Sequence, residues 1–489
     1  MTAVVRGIRL AAVVLASALA GCETQSDTLS ANLPLSADKS SNILKDLDPT
    51  GQIGTISTNG SIDLGNAFFQ SLGTNGRSCG TCHLQSDGWG LSAASARTVF
   101  TSRGLTDPLF AFDGANCPSV TPADGAAGHS LLLSHGLIRI EIPVPAGADF
   151  TLAAVHDPYG CALHGSPVVA AFYRRPLPTT NLRFLSAVMF DGRETGQPLN
   201  NGATFMTNLR ADLAHQAMDA TLGHAQAAAS PSTAQLNSIV DFELALFTAQ
   251  RFDNDAGVLN AQGATGGPDA LVSAPYYPGI NDPLGNNPTG AAFDPSAVTL
   301  FSAWQGLTST NPATEARTAV ARGQTVFDTH PLTITNVAGL NDALGLPAIN
   351  GTCTTCHDTP NVGNHSLPVP LDIGTSHAAA YETHAEIAAA LSQLSGPDMP
   401  IFQVTCTTGP LAGTVRYSSD PGRALITGHC ADLGRVKGPI LRGLAARAPL
   451  FHNGAAASVE QVVAFYNLRF QMGLTAQETS DLIAFLKSL

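Results

Sequence analysis

Positive charge is scarce in this sequence. Lys and Arg number 24 against 37 Asp and Glu, a net charge of −13. That balance argues against nucleic acid as a partner and favours small basic proteins. Charge of either sign is also thin, at 12% of residues, while Gly and Pro contribute 47 and 31; such a composition indicates long ordered loops rather than disorder. After the first twenty residues no apolar run is long enough to span a bilayer. With 489 residues the chain has enough material for two cores.

The apolar run that does exist lies at the start. Arg6 and Arg9 precede Leu10 to Ala20, long enough for an export signal and too short for a membrane span. The run closes with Leu19-Ala20-Gly21-Cys22, which resembles the bacterial lipobox. Residues 1–21 are therefore expected to be a lipoprotein signal peptide, with Cys22 the lipidated first mature residue and 22–50 a polar tether. The alternative is cleavage after Ala18-Leu19-Ala20, giving a soluble periplasmic protein.

Two strings carry the chemistry: Cys79-Gly80-Thr81-Cys82-His83 and Cys353-Thr354-Thr355-Cys356-His357. The Cys-x-x-Cys-His spacing is that of covalent haem c attachment. The two thiols add across the vinyl groups of one porphyrin, and the adjoining histidine, His83 or His357, supplies the proximal iron ligand. Chance would supply roughly 0.005 such strings in a chain of this composition, so two indicate two haems. A zinc knuckle or a thioredoxin-type pair is the competing reading.

Of the nine cysteines, four serve haem and Cys22 serves lipid, leaving Cys117, Cys161, Cys406 and Cys430. An exported protein would oxidise them. Pairing within each half, Cys117 with Cys161 and Cys406 with Cys430, is favoured among the three possible connectivities, with free structural thiols as the other outcome.

The expected architecture is mainly α, with two cytochrome c-type haem domains in tandem, over residues 51–255 and 313–489, joined by a loop-rich linker over 256–312. Short amphipathic helices ending in Phe precede each haem site, at Asp63–Phe69 and Ala321–Phe327, and each would pack beside its haem. Leu137–Val144 alternates with period two and reads as a strand, placing a small β insertion, from about Gly90 to Pro176, in the first domain. Ser458-x-x-Gln461 and Thr475-x-x-Glu478 resemble capping boxes opening two C-terminal helices.

The order of motifs carries a family resemblance. After the first haem string come Phe190-Asp191-Gly192-Arg193, a helix with Gln216, and Ile239-Val240-Asp241-Phe242-Glu243; around the second come Arg322-Gly323, Gly438-Pro439-Ile440-Leu441-Arg442 and Ala448-Pro449-Leu450-Phe451-His452-Asn453-Gly454. This order resembles the bacterial di-haem cytochrome c peroxidase superfamily, which also includes the di-haem enzyme that matures tryptophan tryptophylquinone. The resemblance implies one haem reacting with hydrogen peroxide and one taking electrons from a small donor cytochrome. It places Phe190 where the family usually has a relay tryptophan. It makes Gln216 the glutamine of the peroxide site, and ten residues on, where the family has an acid, stands Gln226. A glutamine exchanges no proton; His215 or His224 is the substitute on the same segment.

Distal iron ligands are more open. Met189 is the candidate for the first haem, with His129 and His135 behind it; Met399 and His452 are candidates for the second, and Met472 is read as core. The resemblance also suggests calcium, with oxygen ligands such as Asn361 or Asn364. Three functions compete: peroxide reduction, a di-haem oxidase acting on a protein or organic substrate, and electron transfer without catalysis, which Gln226 and Phe190 favour.

Overall fold

In a computed structural model of the chain, the described residues are 43–196, 204–276, 278–287, 290–363 and 365–489. The leader, Cys22 and most of the expected tether lie outside them, as does Asn364. Helix covers 35% and strand 17%, so helix predominates, although sheet is more extensive than one small insertion. No helix among the described residues is long and apolar enough to cross a membrane.

The tether expectation fails at its end. Ile43–Asp48 is a strand, paired antiparallel with Gly51–Ser57. Two local features explain it: Ile43 and Leu44 are buried, and Asp48 Oδ1 accepts from both the backbone N and Oγ1 of Thr50 at 2.8 Å, which closes the hairpin. Leu246–Asp253 and Gly257–Val258 complete this four-stranded sheet.

The insertion does more than decorate the first half. Ile138–Pro143, within the expected strand, joins Val169–Arg174 and Leu163–His164 in one sheet. Phe150–His156, however, pairs with Ile401–Cys406 of the second half, which in turn pairs with Val415–Ser418. The halves thus share a sheet. Disulfides join Cys117 to Cys161 and Cys406 to Cys430.

In the second half, the helices Pro312–Thr329 and Ala476–Lys487 pack together in the largest core. Gly323 makes that contact possible: a Cβ there would lie 1.9 Å from the Asp481 carbonyl oxygen. Beside it, Arg322 forks onto the Asp481 carboxylate at 2.7 and 2.8 Å. The Thr475 capping box forms. The Ser458 one does not, because Gln461 Oε1 accepts instead from the Ala457 backbone N–H and the Ser395 hydroxyl. Asp63–Phe69 yields only a single 3-10 turn, Ala67–Phe69, while Ala321–Phe327 lies inside a full helix.

Candidate functional site

Each Cys-x-x-Cys-His string forms one 3-10 turn, Cys79–Thr81 and Cys353–Thr355. In both turns the histidine backbone N–H bonds back to the first cysteine carbonyl at 3.0 Å, so thiols and imidazole are gathered in a single loop. The four cysteines are free thiols. Burial pushes Cys79, Cys353 and Cys356 up to about 12 and Cys82 to about 11.

The two histidines share one arrangement. His83 Nδ1 lies 3.1 Å from the Trp89 carbonyl, and His357 Nδ1 lies 3.1 Å from that of Val362. A carbonyl only accepts, so each ring carries its proton on Nδ1 and presents the Nε2 lone pair. Burial pushes both imidazoles down to about 4, which keeps them neutral. Phe68 packs on His83 with centroids 6.2 Å apart, and Phe327 on His357 at 5.9 Å.

Each string opens into a cavity of its own, with Cys79, Cys82 and His83 on the wall of the first and Cys353, Cys356 and His357 on that of the second. Free thiols, neutral imidazoles with a bare nitrogen, and a mostly apolar wall fit haem c. The two strings are thus two candidate haem-attachment cradles, the site class of a c-type cytochrome. Phe190 and Lys437 line both cavities. Phe190 meets His452, a wall residue of the second cavity, edge to face at 5.9 Å. The adjoining Asp191 is fully buried and accepts from Arg174 at 2.5 Å and Arg193 at 3.0 Å. Arg174 also grips Asp420 of the second half at 2.6 and 2.9 Å. Burial alone would raise the Asp191 carboxyl, but the guanidiniums hold it below its ordinary value.

The helix Phe205–Gly223 presents one face to the first cavity: Leu213, Gln216, Ala217, Ala220, Thr221 and, just past its end, His224. That is the three-and-four spacing of a helical stripe. Gln216, His224 and Met189 therefore share the cavity with His83. Gln226 does not. The helix stops at Gly223, Gln226 takes a left-handed backbone (φ 54°) and its side chain is exposed. The ten-residue spacing counts onward along a helix that has already ended. His215 is excluded for a different reason, being on the outer face and ion-paired with Glu194 at 2.7 Å.

His224 is tied into a buried relay. Its Nδ1 hydrogen-bonds Asp113, and the other oxygen of Asp113 pairs with Arg77. Arg77 also donates to the carbonyls of Pro108, Leu109 and Ala111 at 2.8, 2.8 and 2.6 Å. Burial would raise the Asp113 carboxyl, but His224 and Arg77 together bring it below its ordinary value. Asp113 escaped sequence reasoning, since it comes from the insertion 111 residues away. Glu243 also lines this cavity, with Oε2 unpaired and its carboxyl pushed up to about 8 by burial.

Of the distal candidates for the second haem, His452 lines the cavity, as do Tyr466 and Met472, the latter expected only in the core. Met472 is thus a wall residue as well as part of a core. Met399 packs with Leu131, Leu137 and Tyr173, off either cavity wall. His129 and His135 are absent from the first cavity wall; His129 bonds the Gly114 carbonyl at 2.9 Å. Asn361 is fully buried and neither of its carboxamide atoms has a partner.

No family model matches the chain. Over 197 residues it is 28% identical to the cytochrome-c peroxidase IdrP1 of Pseudomonas sp. (strain SCT), covering 36% of this chain and 47% of that protein. Over 99 residues it is 33% identical to the cytochrome c551 peroxidase of Nitrosomonas europaea, covering 18% and 30%. A solved MauG-like protein associated with microbial copper homeostasis aligns with 87% of this chain and 88% of its own at a TM-score of 0.32 and 14% identity. In sequence, then, parts of the chain are similar to bacterial cytochrome c peroxidases. The chain matches about half or less of the length of these curated relatives.

Proposed function

We propose that the protein is a periplasmic di-haem peroxidase, anchored to a membrane through lipid on Cys22, that reduces hydrogen peroxide with electrons from a small cytochrome. The observation that carries this reading is the pair of cradles opening into separate cavities with Phe190 and Lys437 between them. When bound, haem supplies a redox iron able to hold a peroxide oxygen and pass electrons. His224 is then the group that handles protons: Asp113 fixes its Nδ1, leaving Nε2 for the cavity. It takes a proton from the oxygen that approaches first and returns it to the oxygen that departs as water. Overall, hydrogen peroxide, two electrons and two protons give two waters. Gln216, four-residue neighbour of Ala220 on the same face, offers a hydrogen bond to the peroxide without exchanging a proton. Phe190 bridges the cavities as the aromatic step for electrons. Calcium enters this reading through the unpaired, buried Asn361 carboxamide, a ligand of suitable chemistry.

The test has two parts. A pyridine haemochrome assay should give two haems per chain, none extractable by acidified acetone. Stopped-flow mixing with peroxide should then oxidise a reduced donor cytochrome at two equivalents per peroxide. A carrier without catalysis would bind haem and fail to turn over.

A further inference from the structure

Lysine is the rarest of the charged residues here: Lys39, Lys45, Lys437 and Lys487 are the complete set. One of them, Lys437, is buried, with 5% of its surface exposed. Its ammonium donates to the Ala187 carbonyl at 2.8 Å, and its backbone N–H donates to the Phe190 carbonyl at 2.6 Å. No carboxylate among the described residues pairs with it. The acid that acts on it through space, Asp191, already spends its oxygens on Arg174 and Arg193. A buried ammonium with one carbonyl for company is unfavourable unless an anion joins it.

The position of that ammonium identifies the anion. Lys437 lines both cavities, and among the described residues it is the only Lys or Arg on the wall of the second. The first cavity has Arg77, Arg174, Arg175 and Arg193 besides. A haem brings two carboxylates, and among the described residues the wall of the second cavity carries no other fixed cation to meet them.

We propose that Lys437 is a counter-ion shared by the carboxylates of both haems, so that one ammonium between the cavities raises the reduction potential of each. This rests on the two-haem reading. A fixed positive charge favours the reduced, less positive iron, and it acts strongly where water is excluded. The second haem depends on Lys437 more, because the first has arginines on its wall.

The experiment is spectropotentiometry of the full chain as isolated with haem, in the wild type and in Lys437→Gln and Lys437→Arg. Pyridine haemochrome comes first. Fewer than two haems in the wild type would overturn the two-haem reading and this proposal with it. With two haems present, Lys437→Gln should lower both midpoints, by about tenfold in the reduction equilibrium for the second haem, or about 59 mV for one electron. The larger fall belongs to the haem whose midpoint His357→Met also moves. Lys437→Arg should stay near the wild type. Unmoved midpoints in a two-haem Lys437→Gln protein overturn the proposal alone, and so does a shift confined to one haem. Should the Gln variant fail to load haem, nitrogen-15 spectra of lysine-labelled, fully reduced wild type decide the matter. Burial without haem carboxylates sets the Lys437 ammonium at about 8; one held by carboxylates stays protonated well above that, and loss of its proton near 8 overturns the proposal.

Discussion

Replacing His224 by Gln separates proton handling from everything else the first cavity does. Glutamine retains a donor for Asp113 and fills similar space, yet it accepts no proton at neutral pH. General acid–base assistance typically contributes about 100- to 10,000-fold, or roughly 3 to 5.5 kcal/mol of the barrier, and kcat/KM for peroxide should fall by that much. Both haems should stay attached, with unchanged midpoints, since His224 supplies neither a thioether nor a proximal ligand. Asp113→Asn is a harsher change: removing one side of a buried ion pair typically costs about 3–5 kcal/mol, although Arg77 keeps three carbonyl acceptors. Gln226→Glu is the control and should leave turnover unchanged, because that side chain is exposed. Stopped-flow mixing of peroxide with the reduced enzyme reads all three. A His224→Gln protein that holds two haems and turns over within about threefold of wild type would refute the proton relay.

Glu243→Gln tests a pH dependence. The unfolded carboxyl ionises near its ordinary 4.5, while the folded one keeps its proton up to about 8. Wild-type stability should therefore decline as pH rises through that window, by at most about 5 kcal/mol, and level off above it. The glutamine variant should be flat there, matching wild type near pH 4 and exceeding it at pH 8 in thermal melts. Gly323→Ala forces a methyl group toward the Asp481 carbonyl and should cost about 1–3 kcal/mol, read as a lowered Tm. Cys22→Ser should move the protein from the membrane to the soluble fraction with haem content intact; unchanged fractionation would remove the lipid anchor from the reading.

What the sequence made legible was chemistry confined to a few adjacent residues. Haem attachment needs two thiols and an imidazole in one turn, so Cys79 to His83 and Cys353 to His357 announce themselves, and the Phe residues that pack on each histidine lie shortly upstream. The proton relay was half legible. His224 appeared as a substitute on the right segment, but what favours it over Gln226 is a helix ending at Gly223 and an Asp113 carboxylate delivered from the insertion. Helix ends are weakly written when, as here, the C-cap is His224 in helical geometry. Lys437 gave no signal at all, because a lone lysine in a loop is ordinarily solvated. The strand Ile43–Asp48 was masked by the polar residues before it, and the partner of Phe150–His156 lies too far along the chain for any local pattern to reveal.

That last pairing bears on how the molecule is made. The edge of Phe150–His156 finds Ile401–Cys406 about 250 residues downstream, so the first half cannot finish folding until most of the second has been made. In the interval it presents an unsatisfied strand edge, which invites pairing with other chains, and its contacts are of the long-range kind that form slowly. Expressing either half alone would leave that edge permanently bare, and aggregation rather than a single-haem cytochrome is the expected product.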